Sequence, residues 1–253
     1  MKIVTFNIRC PWKDRDGIND FIHRAGLIYD KVEAEKPEVI AFQEIRKPTL
    51  ELLQKMFPDY SFFGTLREKD YTGEGVYTAI RKDACSVLAT EVFWLSPTPF
   101  AAGSRFADQS KCPRVCLMTK IRHHATNQVF RLMNLHLDHV SDAARRQGIA
   151  CVFSFLGDYE KRETLPTMLM GDFNADPESG VMQYCFARED LVDATAAIPV
   201  TFHGYGSAQS KIDYILLSRS WEARVQSVTP WTDVHEGIYL SDHYPVCMEI
   251  SME

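Results

Sequence analysis

Nowhere in the 253 residues is there an apolar run approaching the roughly 20 positions that a membrane-spanning helix needs. The first residues, MKIVTFNIRC, carry neither a long apolar core nor a small-residue cleavage site, so they read as a strand rather than a signal peptide, and the cytoplasm is the expected compartment. The seven cysteines (10, 85, 112, 116, 151, 185, 247) are scattered, odd in number and without a C-x-x-C pair. That excludes a disulfide framework and a structural zinc site and predicts buried thiols. A basic stripe is also missing, since 28 Lys and Arg face 34 Asp and Glu for a net charge of −6. Stable binding to duplex DNA is therefore not expected, because phosphate neutralisation supplies that affinity. A small anionic substrate held at a local site is compatible with this balance. No repeat, low-complexity tract or Gly/Ser linker occurs, which gives one domain over residues 1–253 and no evident obligate protein partner.

What is present is an ordinary globular composition, 45% apolar and 25% charged, with alternating strand-like and helix-like segments. Strands are expected at 2–8, 38–43, 76–81, 85–95, 115–121, 129–137, 167–171, 211–217 and 245–251. Helices are expected at 18–35 (apolar stripe Phe21, Ile22, Ala25, Ile28, Tyr29, Val32, with Pro37 after the end), 49–56 and 142–160. Several strands are apolar on both faces, as in a sheet covered on each side. Two face-to-face sheets with outer helices fit this pattern, and so does a doubly wound single sheet; periodicity does not choose between them.

Polar residues interrupt the strands at six places. Asn7 splits TFNIR, and Gln43-Glu44 close IAFQEI. Asn134 and His136 share a face of RLMNLHLDH, with Asp138 and His139 beyond. Asp172 and Asn174 stand in GDFN, Asp213 is embedded in KIDYILLS, and Asp242-His243 precede a final strand. Any one of these has a structural explanation such as a backbone hydrogen bond or a helix cap. Burying all of them unpaired would cost several kcal/mol, so convergence on a ligand at one sheet rim is the better reading. Carboxylates with an amide oxygen suit a hard cation such as Mg²⁺, and two histidines suit an anionic phosphate. The inventory is that of metal-assisted phosphoryl transfer to water.

In this order, TFN, QE, N-x-H-x-D-H, GDFN, IDYI and SDH resemble the endonuclease/exonuclease/phosphatase superfamily, which includes DNase I-like nucleases, abasic-site endonucleases, deadenylases, inositol-polyphosphate 5-phosphatases and sphingomyelinases. The likeness spans residues 5–243. It implies a DNase I-like four-layer α/β sandwich, two packed mixed β-sheets flanked by helices, and an Mg²⁺-dependent hydrolase, with Mn²⁺ as a substitute. Carried over by motif, Glu44 would be the principal metal ligand, with Asn7 and Asp242 at the metal or its waters. Asp172 would orient or deprotonate the attacking water and Asn174 would hold it, with His243 as the rival base. His136 and His243 would contact the scissile phosphate, and Asp213 would orient His243. FWLSPTP, CPRV and HLDHVSDAARRQ resemble a small, mostly bacterial subgroup, in which Arg114 and Arg145 would reach a substrate phosphate.

One segment departs from the pattern. Relatives carry a Glu directly before the Tyr in a segment like GEYSAI, where it supports the histidine matching His136; this chain reads GEGVYTAI, with Val76 there and Glu74 two positions earlier. Either a local bulge lets Glu74 substitute, or His136 lacks that partner. The expected activity is phosphodiester or phosphomonoester hydrolysis of a nucleotide or single-stranded nucleic acid, with Trp12, Trp94, Phe106, Tyr205 and Trp231 as stacking candidates. The alternative is a sugar, inositol or lipid-headgroup phosphate. A non-catalytic binding protein on the same fold would be expected to have lost Glu44, Asp172 or His243, and all three are present.

Overall fold

The computed structural model describes residues 1–11 and 16–253. The chain first lays down β1 (Lys2–Asn7), α1 (Phe21–Glu35), β2 (Val39–Ile45), α2 (Lys47–Met56), β3 (Tyr60–Leu66) and β4 (Gly75–Arg81). It then crosses to a second sheet built from β5 (Cys85–Trp94), β6 (Val115–His123), β7 (Val129–His136), β8 (Thr167–Asp172), β9 (Leu191–Asp193) and β10 (Asp213–Ser218). In that half, α3 (Asp142–Arg162) joins β7 to β8 and α4 (Gly180–Phe186) follows β8. β11 (Val225–Pro230) and β14 (Val246–Ile250) return to the first sheet, while β12 (Val234–His235) and β13 (Ile238–Tyr239) form a small separate ribbon. The strand orders are β11-β14-β1-β2-β4-β3 and β5-β6-β7-β8-β10-β9. Each sheet has one parallel pair, β1/β2 and β7/β8, bridged by its own helix, and antiparallel neighbours elsewhere.

Side chains alternate across each strand, so every second residue faces the opposite sheet. Ile3, Val39, Ala41, Leu132, Met168, Met170, Ile215 and Met248 form the layer between the sheets. Their strand neighbours Val4, Ile40 and Phe42 pack under α1 and α2, and Met133, Leu169 and Leu216 under α3 and α4. The four layers are thus helix, sheet, sheet, helix, and the single doubly wound sheet is excluded.

Nine strands and three helices fall where the periodicity places them, within a few residues. β3, β9, β11, β12, β13 and α4 were not expected. β11 is an edge strand with a half-exposed polar pattern, and α4 is too short for a helical period to register. The α1 stripe needs correction: Ile22 and Tyr29 are exposed, and the buried face is Phe21, Arg24, Ile28 and Val32. Arg24 is fully buried because its guanidinium donates to the carbonyls of Ile8, Arg9, Asn19 and Leu240, tying α1 to the loops beyond β1 and before β14. All seven cysteines are free thiols. Among the described residues no helix is long and apolar enough to cross a membrane.

Gly171 lies within β8, as expected. Its φ is +141°, and a Cβ there would sit 2.0 Å from the Leu135 carbonyl oxygen on β7. That backbone contact cannot relax without moving a central strand. Gly171→Ala is expected to destabilise the protein by on the order of 3 kcal/mol or more in urea unfolding. A loss under about 0.5 kcal/mol would show that β7 and β8 can separate locally.

Candidate active site

The parallel pairs bring their C-terminal ends to the same rim: Asn7 is in register with Gln43, and His136 with Asp172, while Asp213 enters β10 opposite Asp172. Alternation makes Asn7, Gln43, Asn134, His136, Asp172 and Asp213 continuations of the inter-sheet face, which is otherwise apolar apart from buried threonines such as Thr5. The changeover is bridged by hydrogen bonds between sheets. Gln43 donates to Asn134 Oδ1 (2.8 Å), Asn134 donates to the Phe42 and Tyr77 carbonyls, and Asn7 donates to Asp172 Oδ2 (2.9 Å). Asn134 is therefore a cross-sheet tie.

Glu44 breaks the alternation. The β2–β4 register slips between Phe42 and Ile45, and Glu44 sits there with φ +60°. This bulge turns a side chain that would face the helices into the cleft. Asn174 is also left-handed (φ +48°); its backbone N–H donates to Asp172 Oδ1 (2.8 Å) and its amide to the Leu137 carbonyl. GDFN is thus a strand end followed by an Asx turn, with Phe173 anchored edge-on against Tyr214.

At the centre, His243 Nδ1 is 2.8 Å from Asp213 Oδ2, and its Nε2 lies 3.9 Å from Asp172 Oδ2. His136 Nε2 approaches the same Asp172 oxygen at 3.4 Å. All four side chains are buried. Burial opposes charge on His243, but Asp213, Asp242 and Asp172 outweigh it and raise its pKa to about 10. Burial and the charge of Asp213 push Asp172 up to about 7. His136 is driven well below its ordinary value by burial and then by Arg114 and Arg67, so it is neutral. One carboxylate near neutrality thus lies between a cationic and a neutral imidazole.

On the other wall, Glu44 Oε2 accepts the Cys10 backbone N–H (2.9 Å) and Oε1 accepts from Asn7 (3.2 Å). Burial disfavours its charge, but these donors, His243 and Arg9 hold its pKa below the usual value. Asp242 is raised by burial and by Glu44, and its Oδ2 lies 3.5 Å from Arg9 Nε. Two carboxylates that repel each other, with Asp172 nearby, fit a hard divalent cation held through oxygen. Cys10 Sγ and Glu74 close a second side around Glu44, within 4.8 Å. That thiol donates to Glu74 Oε1 (3.2 Å) and is kept protonated by burial and the two glutamates. Asn7 does not present an oxygen here: its Oδ1 accepts from Arg9 N–H (3.0 Å) while its NH₂ faces the carboxylates. As placed, its amide nitrogen holds Glu44 and Asp172 at the rim where the sequence expects the cation.

The cleft, of about 610 Å³, is walled by Arg67 just after β3, Arg114 just before β6 and His139 in the loop after β7. Arg114 is buried, with Nη2 2.9 Å from His139 Nδ1. Arg67 pairs with Glu74 at 2.7 Å. Glu74 makes no hydrogen bond to His136 among the described residues, and β4 pairs regularly with β3, so the bulge lies in β2 and the Glu74 substitution does not occur. Arg145 lies outside the cleft lining, donating to the Asp138 carbonyl and Asp142 at the start of α3. Asp138 caps the same region through Val140 and Ser141 N–H and Ser110 Oγ. Arg9, Cys10 and Arg67 were not singled out from sequence; no motif marks them, because loop and strand pairing alone bring them in. Trp94 and Trp231 are buried packing residues, Phe106 and Tyr205 do not line the cleft, and Trp12 lies outside the described residues.

Residues 4–243 match the model of the Endonuclease/Exonuclease/phosphatase family. The chain belongs to this family. Its members are hydrolases of phosphate esters. A protein of the family from Bacteroides vulgatus is 27% identical with a TM-score of 0.87, over 99% of this chain and 98% of that one. A mannosyl-6-phosphatase from Bacteroides thetaiotaomicron is 25% identical with a TM-score of 0.89, over the whole of both chains. The human Nocturnin catalytic domain (17% identity, TM-score 0.75, covering 99% of this chain and 93% of that one) shares the fold. No curated protein matches the sequence.

Proposed function

We propose that this family member is a divalent-metal-dependent phosphoesterase acting on a small phosphate ester, with Asp172 as the base for the attacking water. The observation that carries the reading is geometric: His136 Nε2 at 3.4 Å and His243 Nε2 at 3.9 Å flank one oxygen of Asp172, and the charges around it set their protonation states apart. Asp172 titrates near 7, while His243 only 3.9 Å away titrates near 10. A general base works best near ambient pH, and a group already protonated there cannot accept a proton. Asp172 is thus the acceptor. His243, held cationic and aligned by Asp213, stabilises charge that develops on the phosphate, beside a neutral His136 that donates or accepts a hydrogen bond. Asn174, two residues beyond Asp172, borders the same space. Glu44 and Asp242 would hold the cation, Mg²⁺ or Mn²⁺, which supplies Lewis-acid neutralisation of phosphate charge when bound.

The aromatic residues that could stack on a base do not line the cleft among the described residues, apart from Phe202. This favours a small ester such as a sugar phosphate over the nucleotide or single-stranded nucleic-acid reading. Likeness over its whole length to a mannosyl-6-phosphatase points the same way. A panel of sugar phosphates, inositol phosphates, nucleotides and single-stranded oligonucleotides tests both parts. Hydrolysis is expected with Mg²⁺ or Mn²⁺, lost in EDTA, restored by either ion, and highest on a sugar phosphate. Turnover that survives exhaustive chelation would overturn the metal dependence, and a preference for oligonucleotides would overturn the substrate class.

A further inference from the structure

Two arginines are nine-tenths buried in the wall beside His136, Arg114 at 4% and Arg67 at 7% exposed. Arg67 is neutralised by Glu74. Among the described residues Arg114 has no such partner: Nη2 meets the uncharged acceptor Nδ1 of His139, and Nε and Nη1 have no hydrogen-bond partner. Arg67 Nε is likewise without a hydrogen bond. A buried guanidinium stripped of water and left without a counter-ion is strongly unfavourable unless an anion completes it. Burial and the neighbouring Arg67 both disfavour the Arg114 charge. These two arginines are also the strongest charged influences on His136, so all three act on one spot. Between Arg67, Glu74, Gly75, Val76, Arg114, Val115 and His136 lies a recess of about 10 Å³, in which the Glu74 carboxylate is taken up by Arg67 and Arg114 is left as the net charge. That is room for a single water-sized atom and no more.

We infer that Arg114, with Arg67 behind it, makes the site select phosphomonoesters, by receiving in this recess a phosphate oxygen that must be unsubstituted. The inference rests on the proposed phosphoesterase reading. During in-line displacement, charge spreads over three equatorial oxygens. One can face the Glu44–Asp242 side, one the His136–His243 pair and one the arginine recess. In a monoester all three are free and the ground state is a dianion. In a diester one carries carbon, which the recess does not admit, so filling the recess with a free oxygen turns the substituted one toward the Glu44–Asp242 side or the histidine pair, and the phosphate has a single charge to offer.

The wild-type protein and Arg114→Gln, with thermal melts as the folding control, are assayed with Mg²⁺ on p-nitrophenyl phosphate and bis(p-nitrophenyl) phosphate. Binding of inorganic phosphate is measured by calorimetry in EDTA. The wild type is expected to favour the monoester in kcat/KM by about 100-fold or more. Arg114→Gln is expected to cost the monoester about 100-fold and the diester less than about fivefold, and to weaken phosphate binding at least about tenfold. An equal loss on both substrates, or a wild type that hydrolyses the diester as well as the monoester, overturns the inference. The wild-type ratio needs no variant, so a misfolded Arg114→Gln leaves the test intact. Absence of hydrolysis with every divalent ion would instead sink the phosphoesterase reading, while phosphate calorimetry would still report on Arg114.

Discussion

Asp172→Asn is expected to lower kcat by about 10³-fold without lowering the melting temperature at pH 8. The substitution preserves shape and removes the proton acceptor. The stability sign follows from the raised pKa. Between the unfolded carboxylate value, about 4, and about 7 in the fold, the native state holds a proton that the unfolded chain has lost. Stability from this group is therefore present at low pH and is lost as pH rises through 7, so a permanently neutral side chain is favoured above it. For the same reason kcat/KM in the wild type is expected to rise with pH as Asp172 ionises, on a limb near 7 that a cation at Glu44 would move lower. If His243 were the base, His243→Ala would lose more than Asp172→Asn. A ring held cationic to about 10 by Asp213, Asp242 and Asp172 argues for the opposite order. Activity within tenfold of wild type in Asp172→Asn would remove the mechanism.

The second large effect is on metal affinity. Glu44→Gln is expected to weaken Mn²⁺ binding, measured by calorimetry, by more than the about 10–100-fold typical of residues that only support a ligand. Activity at low metal should collapse and partly recover as Mg²⁺ is raised. Glu44 is the carboxylate that the fold keeps ionised, through the Cys10 N–H, Asn7 and Arg9. Asn7→Ala, by contrast, should weaken the metal less than Glu44→Gln, because Asn7 presents nitrogen to the carboxylates. Unchanged Mn²⁺ affinity in Glu44→Gln would move the cation to the Asp172–Asp213–His243 group, whose ligand atoms lie within 4.8 Å of one another.

Gly171→Ala tests the close approach of the two central strands, because the β7 carbonyl of Leu135 leaves no room for a Cβ. The turn of the GDFN segment begins one residue later, at Asp172.

The strand pattern was enough to set Asn7, His136, Asp172 and Asp213 at the ends of largely apolar strands, and their chemical types pointed to phosphate and a hard cation. Which faces met was not local information: the same alternation fits one covered sheet or two, and only long-range pairing of β14 with β1 and of β10 with β8 decided for two. The bulge that aims Glu44 inward depends on how β2 pairs with β4, and a one-residue slip reverses a side chain's direction. Which end of the Asn7 amide faces the carboxylates follows from the Arg9 N–H, a loop contact that no strand period encodes. Arg145 and Arg114 looked equivalent as basic residues near the HLDH and CPRV motifs. Tertiary structure sent one to the cap of α3 and buried the other, with two of its nitrogens unpaired, beside His136. Residue type and periodicity determined what chemistry this chain can carry. Which groups share a cleft, and in which charge state, was decided by burial and by neighbours distant in sequence, because desolvation and Coulomb interaction act through space.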